Sequence, residues 1–391
     1  MLNTSFPPWP QYAEDEIEAV ECVLRSGRVN YWTGSEVRSF ESEFAAAVGC
    51  SYAVALANGS LALELALRVL CIGPQDEVVV TPRTFIASAS CIVLAGARPV
   101  FADVDPESQN ITADTIAEVI SPRTKTIICV HLAGWPCDMD PILDLAQRQN
   151  LWVVEDCAQA HGAMYKGRPV GSLGHIAAWS FCQDKIMTTG GEGGMLTTND
   201  ASIWEKAWSF KDHGKSWSKV QEKNPYPGFK WLHETFGTNL RLTEMQAAIG
   251  RRQLTKLEKW IALRNANALI MSNALRDIPG LRQPEPPNHI RHAYYKYYAF
   301  VRPHKLKPDW TRNRILETIS EAGIPCGSGV CPEVYREKAF IQAGFGRQER
   351  LPGAKALGET SLMFLVHPTF TSFSLEEACN IIAHVLSKAS K

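Results

Sequence analysis

The sequence has no long apolar run: none of its hydrophobic stretches approaches the roughly 20 residues that span a bilayer, so no membrane partner is expected. It also has no excess of either charge. Lys and Arg total 40 against 41 Asp and Glu, a net charge of −1, and nucleic acid is not an expected partner either. Its 11 cysteines include no C-x-x-C pair. Several, such as Cys71 and Cys129, lie inside apolar or helical runs. Buried thiols in a reducing cytoplasm are therefore expected, with no disulfide and no metal site. The opening residues 1–8 have no signal-peptide pattern, which agrees with a cytoplasmic location. No internal repeat or low-complexity tract is present. What is there is 391 residues of ordinary globular composition, 45% hydrophobic and 21% charged. That is enough for a large α/β core and a smaller second domain.

Short β-like runs alternate with helical periods through the first half. Strands are expected at 52–57, 77–80, 99–104, 126–130 and 151–154, and helices at 14–25, 35–48, 61–70, 112–120 and 141–149. This alternation predicts a mostly parallel sheet covered by helices on both faces. Further on, Thr243 and Gln246 form a capping box at the start of a long helix that runs toward Ala268 and links two domains. Past Pro284-Glu285-Pro286-Pro287 the texture changes to an antiparallel-type strand at 294–301, a helix at 311–322, a loop at 323–330 and a terminal helix at 375–388. The division is placed between 1–255, a large domain with an N-terminal arm, and 256–391, a smaller α+β domain.

Lys185 sits between an apolar strand, 176–181, and a loop with glycine at 190, 191, 193 and 194. Such a loop permits positive φ and close approach of a flat ligand. A lysine there suits an imine with an aldehyde, or simply a solvated hairpin. Asn58-Gly59-Ser60 joins a strand to a helix N-terminus, which is either an anion site or a plain cap. Phe85 follows one strand end, where it can stack on a planar ring or fill core. Glu155-Asp156-Cys157-Ala158-Gln159 closes another strand, at the edge where open α/β sheets bind ligands. Tyr31-Trp32-Thr33-Gly34 forms a polar-aromatic loop, a connector or a contact to substrate or subunit. The segment 211–236 is long for an unstructured loop and holds His213, a candidate outside the main set. Lys215, Lys219 and Lys223 in it read as a solvated face. His131, His161 and His292 read as structural.

Together these pieces suit pyridoxal phosphate, which needs an imine-forming lysine, a carboxylate at the pyridine nitrogen, anion donors and an aromatic neighbour. Their order resembles the DegT/DnrJ/EryC1/StrS sugar aminotransferases along nearly the whole chain. The likeness is strongest in Asn58-Gly59-Ser60, Thr81-Pro82-Arg83-Thr84-Phe85, Glu155-Asp156-Cys157-Ala158-Gln159, Ser180-Phe181 with Lys185, Gly191-Glu192-Gly193-Gly194 and Gly237-Thr238-Asn239-Leu240-Arg241. The resemblance implies the type I PLP-transferase fold: α/β, with a mostly parallel seven-stranded sheet and a smaller C-terminal α+β domain. It implies that Lys185 carries the imine, Asp156 pairs with the pyridine nitrogen, Phe85 stacks on the ring and Gln159 lies near its phenolic oxygen. Gly59, Ser60 and Ser180 would bind the phosphate. Asn239 would reach the phosphate of a partner subunit, in a homodimer with shared sites. His175 stands where many members are acidic, without consequence for the cofactor. The implied reaction takes an amino group from L-glutamate, through pyridoxamine phosphate, to a keto-sugar nucleotide for surface-glycan or secondary-metabolite amino sugars. Tyr31, Trp32, Thr33, Gly34, His213 and Arg241 are the candidate substrate contacts. A cyclitol ketone, an amino-hydroxybenzoate precursor (suggested by Trp9-Pro10-Gln11) and a non-catalytic cofactor-binding role are the alternatives.

Overall fold

The computed structural model describes residues 6–222 and 228–391. Its large sheet is built from β1 (Tyr52–Leu56), β2 (Glu77–Val80), β3 (Arg98–Phe101), β4 (Thr124–Val130) and β5 (Trp152–Asp156). After the short β6 (Met164–Tyr165) and β7 (Arg168–Pro169), it is completed by β8 (Ile176–Ser180) and β9 (Gly194–Thr198). The strand order is β1-β9-β8-β5-β4-β2-β3. The β2–β3, β2–β4, β4–β5 and β5–β8 pairs are parallel, and β9 alone runs against its neighbours β1 and β8. All strands except β9 therefore end at one edge, and the ends of β2, β5 and β8 carry the loops of interest. The strands are buried along most of their length, as a sheet covered on both faces requires.

Around this sheet lie α1 (Glu14–Ser26), α2 (Glu36–Ala47), α3 (Gly59–Val69), α4 (Ala87–Leu94), α5 (Ala113–Ala117), α6 (Met139–Gln149), α7 (Ala201–Lys211) and α8 (Trp217–Gln221). The long helix α9 (Glu244–Leu275) starts at the expected capping box: Thr243 Oγ1 accepts from Gln246 N, and Gln246 Oε1 accepts from Thr243 N. Its Leu257 and Ile261 pack in the core of the large sheet, whereas Ala268, Met271 and Leu275 belong to a second core. Position 255 thus falls within a continuous helix, and the apolar environment changes further along it, between Ile261 and Ala268.

The second core lies under an antiparallel sheet of order β10-β12-β14-β13, formed by β10 (Leu281–Arg282), β12 (Tyr297–Val301), β13 (Cys326–Gly327) and β14 (Ser361–Phe364). β11 (Ile290–Arg291) pairs instead with β6. Packed on the second core are α10 (Arg312–Glu321) and α13 (Ser372–Ala389), with α11 (Lys338–Gln342) and α12 (Pro352–Thr360) nearer the large sheet. The strand expected at 294–301 begins only at Tyr297. Tyr294 has φ 46 and stacks 3.9 Å from His292, which turns the chain out of the ladder. The loop expected at 323–330 contains β13. All 11 cysteines are free thiols, but Cys22 and Cys71 are exposed rather than buried. Cys71 follows the end of α3 at φ 58, which carries it off the apolar face. Among the described residues no helix is long and apolar enough to cross a membrane.

Candidate active site

Lys185 follows β8 in a tight turn, its amide donating to Cys182 O at 3.0 Å. Thr188 Oγ1 donates to Phe181 O at 2.9 Å, Thr189 Oγ1 to Glu192 O at 2.6 Å, and Gln253 Oε1 accepts from Thr188 N at 2.8 Å. The lysine therefore rides on a fixed loop. Gly190 and Gly191 have positive φ, 83 and 124. Gly193 and Gly194 are glycine for a different reason. A Cβ on Gly193 would fall 2.0 Å from Thr189 Oγ1, and one on Gly194 2.3 Å from Asn58 O. These two glycines make room for the protein itself, not for a flat ligand.

Gly194 brings the start of α3 against the end of β8. A Cβ on Gly59 would lie 2.6 Å from Ser180 Cβ. Asn58 Oδ1 caps the helix by accepting from Leu61 N at 3.0 Å. Among the described residues nothing accepts the amides of Gly59 and Ser60, so the helix is capped and still has two donors to offer beside the Ser180 hydroxyl. That donor set fits a phosphate group.

Asp156 ends β5 and is buried. Ser88 Oγ donates to its Oδ2 at 2.7 Å, and Ala158 N to its Oδ1 at 3.1 Å. Thr84 Oγ1 lies 2.8 Å from Ser88 Oγ and extends the chain to the loop after β2. Thr84 belongs to a motif already singled out, whereas Ser88, the residue that touches Asp156, was missed from the sequence, where it looks like an ordinary member of a helix start. Gln159 Oε1 accepts from Ala133 N at 2.8 Å, which fixes its amide. Phe85, between that loop and α4, is 62% exposed, unusual for a large apolar ring. A buried carboxylate, two free helix amides, an exposed ring and a lysine at one sheet edge fit pyridoxal phosphate.

Asn239 is exposed and its Oδ1 accepts from Arg241 N at 3.2 Å. It pairs with Asp212 in a short bridge near the exposed His213, whose φ is 61. Arg241 is turned inward, its guanidinium 2.9 Å from the buried Asp212, which also takes Lys215 at 2.9 Å. Tyr31 is buried, its hydroxyl accepting from Trp208 Nε1 at 2.9 Å. Trp32 lies 4.1 Å beneath the Lys215 ammonium. Thr33 Oγ1 turns back to Asn30 O at 3.2 Å. A Cβ on Gly34 would sit 2.2 Å from the Glu244 carboxylate. Lys219 pairs with Glu234 at 2.8 Å, and Lys223 lies outside the described residues. Among the described residues, the side chains of Tyr31, Trp32, Thr33, His213, Asn239 and Arg241 make no hydrogen bond to the Lys185 loop of their own chain.

His131, Glu155 and Cys157 lie together, fully buried. Cys137 N donates to His131 Nδ1 at 3.0 Å, and His131 Nε2 meets Glu155 Oε2 at 2.9 Å. Glu155 also accepts from Gly171, Leu173 and Gly174 amides at 2.9, 2.8 and 2.7 Å. The cluster is self-satisfied and reads as structural. Burial alone would raise the Glu155 carboxyl, but the His131 hydrogen bond and the glycine amides outweigh it and hold it below 4.5. Stability from such a group is present above the unfolded value and lost as pH falls through the folded one. Urea unfolding between pH 7 and pH 3 should show this loss, and Glu155→Gln should flatten it while costing about 3 kcal/mol at pH 7. Identical pH slopes for the two proteins would refute the assignment. Burial, with Lys185 and Arg264 adding to it, pushes His161 down to about 3, and burial does the same to His292. His175 Nδ1 accepts from Val153 N at 2.9 Å, a local tie away from the Lys185 loop.

Residues 10–385 match the model of the DegT/DnrJ/EryC1/StrS aminotransferase family. The chain is similar to the UDP-N-acetyl-3-dehydro-alpha-D-glucosamine 3-aminotransferase of Acidithiobacillus ferrooxidans, 40% identical over 90% of this chain and 89% of that one. It is similar to the 3-amino-5-hydroxybenzoate synthase of Amycolatopsis mediterranei, 35% identical over 87% of this chain and 84% of the relative. Among solved structures, an aminotransferase from Psychrobacter cryohalolentis superposes with a TM-score of 0.96 at 55% identity, covering 98% of this chain and 99% of that one.

Proposed function

Because the chain belongs to the DegT/DnrJ/EryC1/StrS aminotransferase family, and is a PLP-dependent transaminase of type I fold, we propose that it moves an amino group from L-glutamate to a keto-sugar nucleotide. The product would serve surface-glycan or secondary-metabolite amino-sugar synthesis in the cytoplasm. The observation that carries this reading is the convergence at one sheet edge of Lys185, Asp156 and the two free α3 amides beside Ser180.

Pyridoxal phosphate supplies an aldehyde for amines and a ring that takes up electrons. In the proposed site, Lys185 Nζ would be the amine that holds the cofactor. The same amine, when free, would serve as the general base and then the general acid of the amino transfer. Asp156, whose carboxylate is held by Ser88 Oγ and the Ala158 amide, would be the partner of the ring nitrogen. Phe85 would cover the ring and Gln159 would lie by its phenolic oxygen. Gly59, Ser60 and Ser180 would hold the phosphate. Asn239 serves the phosphate of a second copy, and His213 and the 31–34 loop lie on the same side as that residue. The exposed rings of Phe229, Trp231 and Phe236, at 78%, 81% and 100%, support a homodimer that covers them.

The test is a panel of UDP-, dTDP- and GDP-linked keto-sugars with L-glutamate, read as 2-oxoglutarate formed. Turnover confined to one nucleotide class is the expected result. Turnover only with a cyclitol ketone or an aminobenzoate precursor, the chemistry that the Amycolatopsis relative's name suggests, moves the acceptor elsewhere. No 2-oxoglutarate with any acceptor overturns the choice of donor.

A further inference from the structure

Tyr295, in the segment before β12, is buried and meets the Lys185 turn twice. Lys185 Nζ lies 5.0 Å from the centre of its ring. Its hydroxyl donates to Oδ2 of Asp184, the residue before the lysine. The ring is placed by main chain: Tyr295 N donates to Ala133 O at 2.9 Å, and Ala133 N in turn donates to Gln159 Oε1 at 2.8 Å. Arg264 Nη1 donates to Tyr295 O at 3.3 Å. A Cβ on Gly134 would fall 2.9 Å from Ala293 Cβ, so the segment is seated closely against this loop. From the other side, Trp9 Nε1 of the arm donates to Lys185 O at 2.8 Å. The lysine backbone is thus held while its amine makes no hydrogen bond to the described residues.

We propose that the face of Tyr295 is the seat of the Lys185 amine whenever that amine is not bonded to cofactor, which makes Tyr295 a positioning residue for the proton transfers. The proposal rests on Lys185 being the reacting amine. An amine released in each half-reaction has to stay close and available. A carboxylate partner would hold it protonated; a ring face attracts it weakly and lets it go. The carboxylate next to the lysine in the chain, Asp184, is taken by the Tyr295 hydroxyl and lies 3.9 Å from Lys296 Nζ. One side chain therefore supplies the seat and occupies the competing acid.

The test follows covalent uptake of pyridoxal phosphate by the cofactor-free dimer, read by its visible absorbance in a stopped-flow instrument, with the thermal midpoint as control. Tyr295→Phe keeps the face; Tyr295→Leu and Tyr295→Met remove it. Uptake by Tyr295→Phe is expected within about threefold of the natural rate, and by the other two about tenfold slower. Their kcat should fall in parallel with an unchanged KM for glutamate. Natural rates in Tyr295→Leu, or in Tyr295→Met if the first does not fold, would overturn the seat. Tyr295→Phe as slow as Tyr295→Leu would also overturn it, by assigning the effect to the hold on Asp184. Lys185→Ala in the same assay keeps the two readings apart. If another amine takes up the cofactor at the natural rate there, the role given to Lys185 fails, whereas loss of uptake there with natural rates in the Tyr295 variants fails the seat alone.

Discussion

Lys185→Ala is expected to lower transaminase turnover by about 10⁴-fold or more, since it removes the amine proposed both to hold the cofactor and to move the proton. The coupled detection of 2-oxoglutarate reads this directly. Lys185→Arg should be as inactive: it keeps the charge and lacks a primary amine able to lose its proton and form an imine. Neither change should shift the thermal midpoint of the cofactor-free protein much, because the side chain makes no hydrogen bond to the described residues and is only partly buried. Borohydride trapping followed by peptide mass analysis gives the matching chemical result, with label on Lys185 in the natural chain and none in the variants. Either variant retaining more than about a hundredth of the activity would rule out the proposed acid–base role.

Asp156→Asn costs about 10²- to 10³-fold in kcat, the range for removing one preorganised electrostatic contact at a reacting group. Asparagine has nearly the shape of aspartate: its Oδ1 can accept from Ala158 N while its Nδ2 donates to Ser88 Oγ, which can turn its own proton to Thr84 Oγ1, so the fold should be retained and the loss traced to charge. Asp156→Ala should lose as much activity and also about 2 kcal/mol of stability, because the buried Ser88 hydroxyl loses the partner it now has at 2.7 Å. Urea unfolding separates the two variants. Equal kcat for Asp156→Asn and the natural chain would show that the carboxylate does not serve the ring nitrogen.

The fold was largely legible where side-chain period and caps carried it. Alternating apolar runs gave the parallel core, and Thr243 with Gln246 marked the start of α9 to the residue. The helix expected over 14–25 runs to Ser26 and closes on Gly27, a left-handed C-cap at φ 67. Legibility fell in the second half, where strands are two to five residues long and pair with distant partners. Two-residue strands such as β10, β11 and β13 have too few residues to show a period. Tyr294 interrupted an apparently continuous aromatic strand because stacking on His292 outweighed β propensity.

At the candidate site, the residue types were readable and their surroundings were not. The sequence alone determined the chemistry on offer: a lysine after an apolar strand, an acid at a strand end, a glycine turn opening a helix, and the family those motifs belong to. These signals are local, spaced within a few residues of one another, and strand ends bring them to one edge through topology that period predicts. Only the tertiary structure decided which groups stand behind them. Ser88 reaches Asp156 across 68 positions, Tyr295 reaches Asp184 across 111, and Trp9 reaches Lys185 across 176. It also turned Arg241 inward to Asp212 and gave Gly193 and Gly194 a packing reason in place of a ligand. The physical reason is that such contacts depend on which surfaces the packed core brings face to face, and nothing in the spacing of residues along the chain records that.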